Sequence, residues 1–595
     1  MSNRISHMRD ELEALLATPG EPLIPELYHA VRHPEAARGR PAVGLLLDKA
    51  AETLADIQNI PQLTYTLYRE VQRKTDRIPY QRAYFEKRGK LAAAALQVAL
   101  GEDDYLSLLH DYLWSTCEET TWVLPQVEQM AIELRAVAIG LDLAEIISVL
   151  KDKIEERVIN RVRGEIERRI FAPYLENPEA FGWYRGHNNW NGVCNGAIGA
   201  AFLLLEEDDT RLARAMEIVL GGLDVFLASA FEPDGASAEG VGYWQYGLSN
   251  LICFAEMLKG RTRGAIDILS SDRMKAIAAY PLHVMLSPGH FFAFSDCSEV
   301  NAFQPGFIAR LAERTGVQAL LGVLADPAPV SMGQNGFHTA WRNMLWWDGG
   351  QSQQAALEDA WLKESQVVRL GASTATGAPV VLAAKAGHNG VSHNHNDVGS
   401  FVLHVNGETA LCDPESGLYD LYRRSGHDRN LFANSLGHNV PRIAGKLQSR
   451  GAAFCGEITR CDESEDGKQV EMQIKGAYEV AGLKEANRSL RLTSQGELIV
   501  EDRFAFLDSK SSPAVEEGFV TWNRTMVSGR TALIVGDRHV LQMVIEQPAD
   551  VIWTLTEFKE ESEANHKPIP LKRLSFSVTA QEGQAAIRVR ATVLP

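Results

Sequence analysis

The sequence predicts an α+β fold of more than one domain, with a helical N-terminal part and a C-terminal part built of antiparallel β-strands. Three observations predict it: a length of 595 residues, helical periodicity over roughly the first 350 residues, and a change to short strand-like segments near residue 365. A single hydrophobic core rarely extends over so long a chain, so we expect at least two domains.

Helical periodicity marks the N-terminal part. Apolar residues recur at spacings of three and four in segments 91–100, 128–150 and 154–170, and the last two carry charges on the opposite face. Segments 172–177 and 232–242 contain Pro, Gly or Asn and are expected to be loops between helices. The sequence shows no exact short repeat, so helices paired in a ring or in a bundle fit better than a regular solenoid.

Short segments rich in Val and Leu, with turn residues between them, mark the C-terminal part. The strand candidates are 366–370, 379–385, 400–405, 409–412, 470–474, 498–506, 539–545 and 586–593. The pair Asn406–Gly407 lies between two alternating runs, which is a strong signal for a two-residue hairpin turn. We therefore expect the chain from about residue 365 onward to form an antiparallel sandwich or a stack of sheets.

Composition excludes several function classes. Hydrophobic residues make up 45% and charged residues 23%, as in ordinary globular proteins, and the net charge is −18. That charge argues against a nucleic-acid or membrane partner, although one basic cleft could still hold an anion. The start, MSNRISHMRDELEALL, has no apolar signal region, and the seven Cys lack CxxC spacing. We expect a cytoplasmic protein, or a periplasmic or secreted one if a signal has been removed.

The densest polar motif is SHNHND, which ends at Asp397. On an extended backbone His393 and His395 would lie on the same face. With a third ligand, Asp413 or His438, they form a set that is common for zinc, and Asp397 competes for the same place. The alternative is a hydrogen-bonded turn ahead of the next strand, since Asn and Asp favour turns.

The predicted hairpin suggests how one of these ligands is placed. With a two-residue turn at Asn406–Gly407, Asp413 falls opposite Ser400, at the base of the histidine-rich segment. That segment must then curl back to bring His395 near the Asp413 carboxylate.

Two further clusters lie in the helical part. FGWYRGHNNWNGVCN at 181–195 contains four Asn, one His and two Trp, and it suits either an irregular connection or a polar cleft wall with aromatic platforms. DGASAEGVGYWQY at 234–246 combines acids, small residues and two Tyr. Core packing would explain Trp244, whereas two Tyr beside a Gly-rich loop favour a site.

A third cluster is basic. Residues 420–450 carry six basic side chains against two acidic ones, a local charge of +4. The basic residues are Arg423, Arg424, Arg429, Arg442, Lys446 and Arg450. Such arginines commonly pair with surface acids, but next to His438 they could hold an anionic ligand.

Taken together, these motifs resemble the heparinase II/III-like polysaccharide lyases. The resemblance rests on NNWNGVCNGAIGAAFLL at 188–204, EGVGYWQYG at 239–247, SHNHNDVGSFVLHVNGETALCDPESGLY at 392–419 and SLGHNV at 435–440, and ETTWVLPQ at 119–126 is similar in character. It implies an α/α toroid followed by an antiparallel β-sandwich, which we place at 1–360 and 361–595. It also implies cleavage of uronic-acid-containing polysaccharides by β-elimination.

The resemblance also implies roles for single residues. It implies a metal, usually zinc, held by His395, Asp413 and His438, with His393 as catalytic histidine and Tyr243 as catalytic tyrosine. The metal is expected to hold loops, because elimination needs no water, and no organic cofactor is expected.

In the helical part, the resemblance places Asn189, with Asn188 beside it, on the uronate carboxylate. Several relatives have a His in or next to this position, where this chain has Trp190 after Asn189 and His187 before Asn188, so His187 is the candidate for that role. Tyr246 is the alternative to Tyr243. Trp190, Glu239, Arg423 and Arg424 complete the candidate substrate-binding residues.

Other functions remain open at this point. α/α toroids also host inverting glycoside hydrolases, for which Asp234 and Glu239 would be the carboxylate pair, although they lie only five residues apart. A non-catalytic carbohydrate-binding protein is a third hypothesis. For a lyase we favour glycosaminoglycans over alginate, because clustered arginines suit carboxylate and sulfate groups. A homo-oligomer is compatible with the sequence.

Overall fold

A computed structural model gives the fold. It describes residues 7–17, 22–56, 59–74, 77–237, 239–325, 336–347, 349, 358–391, 393–418, 427–508, 510 and 512–594. The chain divides into two compact units, a helical unit (1–231, 243–278 and 302–353) and a β unit (232–242, 279–301 and 354–595). The predicted fold class, helices of an α/α toroid followed by an antiparallel β-sandwich, is confirmed.

Helices make up nearly all the regular structure before residue 350. They are Arg9–Leu16, Pro25–Arg32, Pro34–Arg38, Pro41–Thr53, Tyr65–Lys74, Ile78–Ala99, Leu106–Cys117, Leu134–Val149, Glu156–Ile166, Ala172–Glu176, Asn189–Leu205, Asp209–Ser229, Val241–Arg261, Asp272–Val284, Pro305–Thr315 and Gly336–Leu345. Glu156–Ile166 buries Val158, Val162 and Ile166, four residues apart, as its amphipathic pattern predicts. Asn189–Leu205 is buried almost throughout, which is typical of a central helix.

The described residues of the β unit form four antiparallel sheets. A five-stranded sheet has the order Ala360–Leu362, Val367–Ser373, Pro379–Lys385, Phe401–Val405, Glu408–Leu411. A nine-stranded sheet has the order Arg524–Ser528, Thr531–Val535, Val540–Gln547, Gln584–Leu594, Leu498–Phe506, Leu483–Thr493, Gly467–Gln473, Gly451–Ser464, Gly387–Asn389. The other two are Thr554–Phe558, Leu571–Thr579, Ala514–Thr521, Arg442–Ile443 and the pair Met285–Ser287, His290–Phe291. A short helix, Lys559–Ala564, follows Thr554–Phe558.

One hydrophobic core joins the three large sheets. It includes Leu382 from the five-stranded sheet, Leu490 from the nine-stranded sheet and Phe519 from the four-stranded sheet, all fully buried. Strand Phe401–Val405 is buried on both faces, so it lies in the interior of the unit. Strand Val540–Gln547 instead alternates buried and half-buried residues, as a strand with one covered face does.

The hairpin at Asn406–Gly407 forms as predicted, but its register differs. Both turn residues have positive φ, +52° and +79°, which is the conformation of a type I′ turn. Val405 pairs with Glu408 and His404 with Thr409, and the register then shifts so that Leu403 pairs with Leu411. The expected pairing of Asp413 with Ser400 is therefore wrong, because one extra residue is accommodated in the strand Glu408–Leu411.

None of the described helices is both long and apolar enough to span a bilayer.

Candidate active site

The predicted histidine motif forms a loop, residues 393–399, which we call the histidine loop. It lies between strands Gly387–Asn389 and Phe401–Val405 and is not itself a strand, so the extended geometry that would place both histidines on one face does not apply. His393 has a φ of +56°, in the left-handed region, which costs a non-glycine residue ~1–2 kcal/mol. The backbone N–H of Asp296 donates to the His393 carbonyl at 3.1 Å and helps to hold this conformation.

Asp296 contacts both histidine side chains of the loop. Its Oδ2 lies 2.9 Å from His393 Nδ1, and its Oδ1 lies 3.2 Å from His395 Nε2. Burial alone would raise the pKa of Asp296, but hydrogen bonds from both imidazoles outweigh it and hold that pKa well below its usual range. Burial lowers the pKa of His393, yet Asp296 and Glu239 outweigh it and raise that pKa above its usual value.

His395, Asp413 and His438 form a buried cluster, which we call the His–Asp–His cluster. Its ligand atoms all lie within 4.8 Å of one another. His438 Nδ1 lies 2.9 Å from Asp413 Oδ2, and His395 Nδ1 lies 4.0 Å from Asp413 Oδ1. The sequence-predicted ligands are thus brought together.

The cluster has the donor chemistry of a metal site. Within the described parts of the chain, three of its buried atoms have no hydrogen-bond partner: His395 Nδ1, Asp413 Oδ1 and His438 Nε2. Unsatisfied buried polar atoms are costly, and here two imidazole nitrogens and one carboxylate oxygen of the same cluster are left unsatisfied. That is a donor set which zinc uses, so the residues present fit the metal.

Asp397, the competing ligand, has a different partner. Its Oδ1 lies 2.6 Å from the Lys385 ammonium, and both groups are buried. Burial would raise the pKa of Asp397, but the charge of Lys385 outweighs it and the pKa is lowered. The cluster of three ligand atoms does not include this carboxylate.

Buried polar side chains hold the loops of this site. Asn439, next to His438, donates to the carbonyls of Phe401 and Cys412, at 2.6 and 3.0 Å. Arg573 donates to the His438 carbonyl at 3.0 Å. Arg488 donates to the carbonyls of Gly399 and Asn439, at 2.9 and 2.5 Å, so one guanidinium ties the histidine loop to the segment that carries His438.

Arg488 is itself held by carboxylates inside the sandwich. Asp502 accepts two hydrogen bonds from it, at 2.9 and 2.7 Å, and Glu517 accepts a third at 2.8 Å. Burial and the neighbouring Asp502 raise the pKa of Glu517 well above its usual value, which favours one net negative charge opposite one guanidinium.

In the helical unit, two of the four clustered asparagines are structural. Asn191 donates to the carbonyls of Gly186 and Gly222, at 3.0 and 2.9 Å. Asn195 donates to the Tyr184 carbonyl at 3.0 Å. Both side chains are fully buried and fix the turn that precedes helix Asn189–Leu205.

Four of the predicted site residues, 187–190, lie at the start of that helix. Asn188 caps it, since its Oδ1 accepts from the Trp190 N–H at 3.2 Å. Asn189 is buried, Trp190 is half-buried and His187 is exposed. Asn188 therefore has a structural task, and Asn189 is the first residue inside the helix.

Close helix packing brings Asn189 next to the helix that carries the two tyrosines. A Cβ placed on Gly247 would lie 3.2 Å from Asn189 Cα, and one on Gly192 would lie 2.4 Å from the Gly247 carbonyl oxygen. Only glycine permits this approach. Tyr243 lies one turn before Gly247, and Tyr246 is adjacent to it; both are half-buried, whereas Trp244 is a core residue, 2% exposed.

A cavity of about 140 Å³ adjoins Tyr246 in the helical unit. Its polar lining includes Arg135, Gln245, Gln304 and His338. The Arg135 guanidinium lies 5.0 Å from the Phe85 ring centroid and forms no ion pair with a carboxylate of the described residues. Burial raises the pKa of Tyr246 while Arg135 opposes that rise, so the tyrosine is a neutral hydrogen-bonding group here.

The remaining predicted residues are placed as follows. Glu239 is buried in the β unit, with its Oε1 3.7 Å from His393 Nε2. Asp234, its partner in the hydrolase hypothesis, caps a turn by accepting from the Ala236 N–H at 3.1 Å. Arg423 and Arg424 lie outside the described residues.

Sequence reasoning missed Asp296 and Arg135. Asp296 lies in FSDCSEV, nearly a hundred residues before the histidine loop, and Arg135 is one of several charges on a helix. No spacing in the sequence marks either residue as part of a site, because each is brought to its partners only by the fold.

Comparison with known proteins gives one family match, to the C-terminal part of the chain. The sequence profile of the family described as heparinase II/III-like, C-terminal, matches residues 356–590. No curated protein matches the chain by sequence.

Solved structures supply the fold. A heparinase III structure has a TM-score of 0.62 at 12% identity, with 97% of this chain and 93% of that chain covered. The heparan sulfate lyase HepC from Pedobacter heparinus has a TM-score of 0.57 at 13% identity, covering 94% and 87%. A heparinase III with methylated lysines has a TM-score of 0.59 at 12% identity, covering 86% and 77%. Residues 356–590 are therefore similar to the heparinase II/III-like C-terminal family, and the resemblance indicated by the sequence motifs is confirmed.

Proposed function

We propose that this protein is a polysaccharide lyase that cleaves uronic-acid-containing glycans, with glycosaminoglycans as the favoured substrates and alginate next. The single observation that carries the proposal is that His393 lies in the same loop as His395 of the His–Asp–His cluster, within the residues that match the family profile. The names of the neighbours, heparinase III and heparan sulfate lyase, support the choice of substrate class.

The reaction would be a β-elimination. The proton on C5 of a uronate is weakly acidic while the adjacent carboxylate is ionised, so the enzyme must stabilise the negative charge that develops there. We assign this task to Asn189, whose position at the start of a central helix is fixed by close packing. A base then removes the proton, the C4–O4 bond breaks, and an acid protonates the departing oxygen.

We assign the acid and base roles to Tyr243 and His393. Tyr243 is the acid, and also the base where proton and leaving group share a face of the sugar; His393 is the base where they lie on opposite faces. The Asp296 carboxylate accepts from His393 Nδ1, which assigns proton transfer to Nε2.

A divalent metal, zinc in the first instance, would be held by His395, Asp413 and His438. When bound, it supplies positive charge that neutralises the buried carboxylate and joins three chain segments. The imidazoles would offer Nδ1 of His395 and Nε2 of His438 as ligands, because their other ring nitrogens face carboxylates.

An anionic substrate suits the cavity beside Tyr246. Arg135 is the lining cation that we assign to the substrate, since the other lining cation, Arg88, pairs with Glu119, and the lining carboxylate, Asp142, contacts His338. Gln245 and Gln304 add neutral hydrogen-bonding groups. A volume of about 140 Å³ is below that of a pocket for a whole small molecule, so it suits one charged substituent of a longer saccharide.

The test is a screen of uronic-acid oligosaccharides with absorbance at the wavelengths of unsaturated uronates. A lyase creates a conjugated double bond that absorbs, a hydrolase creates a reducing end without it, and a binding protein does neither. Tyr243→Phe should lose turnover while binding persists, and Tyr65→Phe, at an exposed tyrosine, is the matched control. Reducing ends without absorbance, or normal turnover by Tyr243→Phe, would contradict the proposal.

A further inference from the structure

We propose that Asp296 is a positioning residue that fixes which ring nitrogen carries the proton in both His393 and His395. In this way a single carboxylate links the proposed base to the proposed metal site. The inference rests on the proposed function for the role of His393, but its metal-binding half is independent of any catalytic activity.

The two carboxylate oxygens of Asp296 face two different histidines. Asp296 Oδ2 faces His393 Nδ1 at 2.9 Å and Oδ1 faces His395 Nε2 at 3.2 Å, and the Asp296 side chain is only 8% exposed. An ionised carboxylate can only accept hydrogen bonds, so both facing nitrogens must be N–H donors. A third contact, from the Asp296 N–H to the His393 carbonyl, locks the two segments together at 3.1 Å.

These protons determine what the opposite nitrogens can do. With the proton of neutral His395 on Nε2, the lone pair lies on Nδ1, the atom 4.0 Å from Asp413 Oδ1 in the His–Asp–His cluster. With the proton of neutral His393 on Nδ1, the lone pair lies on Nε2, where it can take a proton from substrate. The proposed site needs a lone pair on His395 Nδ1 to bind the metal and a lone pair on His393 Nε2 to act as base. The Asp296 carboxylate provides for both.

An amide at this position cannot do the same. The side chain of the Asp296→Asn variant would present one acceptor oxygen and one NH2 donor, so only one histidine could still donate to it. If the NH2 group faces His395, that ring must carry its proton on Nδ1 and loses its ligand atom. If it faces His393, the proton moves to Nε2 and the ring loses the lone pair that acts as base. Asp296→Asn therefore impairs one function or the other while nearly preserving shape.

Alanine removes both constraints. In Asp296→Ala neither ring is held by the carboxylate, so both metal affinity and turnover should fall. Loss of such an outer carboxylate typically costs 10- to 100-fold in metal affinity, and loss of a correctly placed base about 10²-fold or more in rate. A merely structural role would lower stability without separating kcat from KM.

The experiment measures zinc affinity and kinetics on the full chain. Zinc is titrated in competition with a chromophoric chelator, for wild type, Asp296→Asn, Asp296→Ala, His393→Ala and the exposed control Asp462→Asn. We expect a zinc dissociation constant raised about 10- to 100-fold in Asp296→Ala, and unchanged in His393→Ala and Asp462→Asn. In zinc-saturated protein we expect kcat to fall with KM nearly constant in Asp296→Ala.

For Asp296→Asn we expect one of the two quantities to fall, according to the orientation of the amide. A second comparison places Asp296→Asn in the His393→Ala background, where it should reduce kcat no further. The proposal is overturned if Asp296→Asn has both the zinc affinity and the kcat of wild type. It is also overturned if folded Asp296→Ala has the zinc affinity of wild type, or if it has the kcat of wild type. If wild type forms no unsaturated product, the proposed function fails, and the zinc titration still decides the metal half of this inference.

Discussion

The contact between helices Asn189–Leu205 and Val241–Arg261 offers a sharp test, because it sets the position of Asn189. A methyl group added at Gly192 would lie 2.4 Å from the Gly247 carbonyl oxygen and 2.6 Å from Phe226 Cε1. Neither neighbour is the far end of a flexible chain, so Gly192→Ala must push the two helices apart. Gly164 is the matched control, because a Cβ at that helical, exposed position meets no atom within 4 Å.

The two substitutions should change the free energy of unfolding in opposite directions. Alanine in place of glycine in a helix interior gains about 1 kcal/mol, so Gly164→Ala should be slightly more stable than wild type. Gly192→Ala has the same intrinsic gain, but overpacking a tight core typically costs about 1–3 kcal/mol, and here it meets backbone as well as a ring. We expect a net loss of up to about 2 kcal/mol. A shift of about 1 Å at Asn189 should in addition reduce kcat/KM by about 10²-fold.

Thermal unfolding and turnover are measured together. For a unit of roughly 320 residues, 1 kcal/mol corresponds to roughly 1.5 °C in the unfolding midpoint. Gly164→Ala should raise the midpoint slightly and keep full activity, whereas Gly192→Ala should lower both. If Gly192→Ala is as stable and as active as Gly164→Ala, the helix contact does not position Asn189.

Three other sites lead to predictions of their own. Zinc at 1,000 times its dissociation constant should stabilise wild type by about 4 kcal/mol, seen as a raised thermal midpoint, and an equal rise in His438→Ala would remove His438 from the ligand set. Burial lowers the pKa of His404 to about 4, so the unfolded chain binds this proton more readily, and stability should fall by about 3 kcal/mol as the pH drops from 6.5 to 4. His404→Gln should flatten that part of the urea-unfolding profile, and an unchanged slope would contradict it. Arg135→Gln should raise KM for anionic oligosaccharides about 10- to 100-fold with kcat preserved, unlike the exposed control Arg157→Gln, and an unchanged KM would exclude Arg135 from binding.

Strands and helices could be predicted where local pattern dominates. Strands Pro379–Lys385 and Leu498–Phe506 begin and end at the expected residues. The expected helix at 91–100 is the buried end of the longer Ile78–Ala99, because its polar first half carries little apolar periodicity. The short hairpin at Met285–Ser287 and His290–Phe291 was not predicted, since strands of two or three residues carry no period.

The site was predictable only as far as its motif extends. His395, Asp413 and His438 were expected together and are found together, and the one-residue shift in the hairpin register was not visible in a sequence that shows only the turn. Asp296 belongs to a segment, 279–301, that lies in the helical half of the sequence yet clusters with the β unit. The assignment of this segment to the β unit depends on tertiary packing, which local residue patterns do not encode.

Arg488 has a consequence for how this protein could be altered. Its guanidinium holds the carbonyls of Gly399 and Asn439 from inside the sandwich, so the shape of both loops is set beneath the surface. Solvent-facing residues that do not contact Arg488 can therefore be substituted, in a search for variants with new saccharide preferences, without changing the conformation of these two loops. A library of variants should therefore keep strand Leu483–Thr493, which carries Arg488, and vary only solvent-exposed residues.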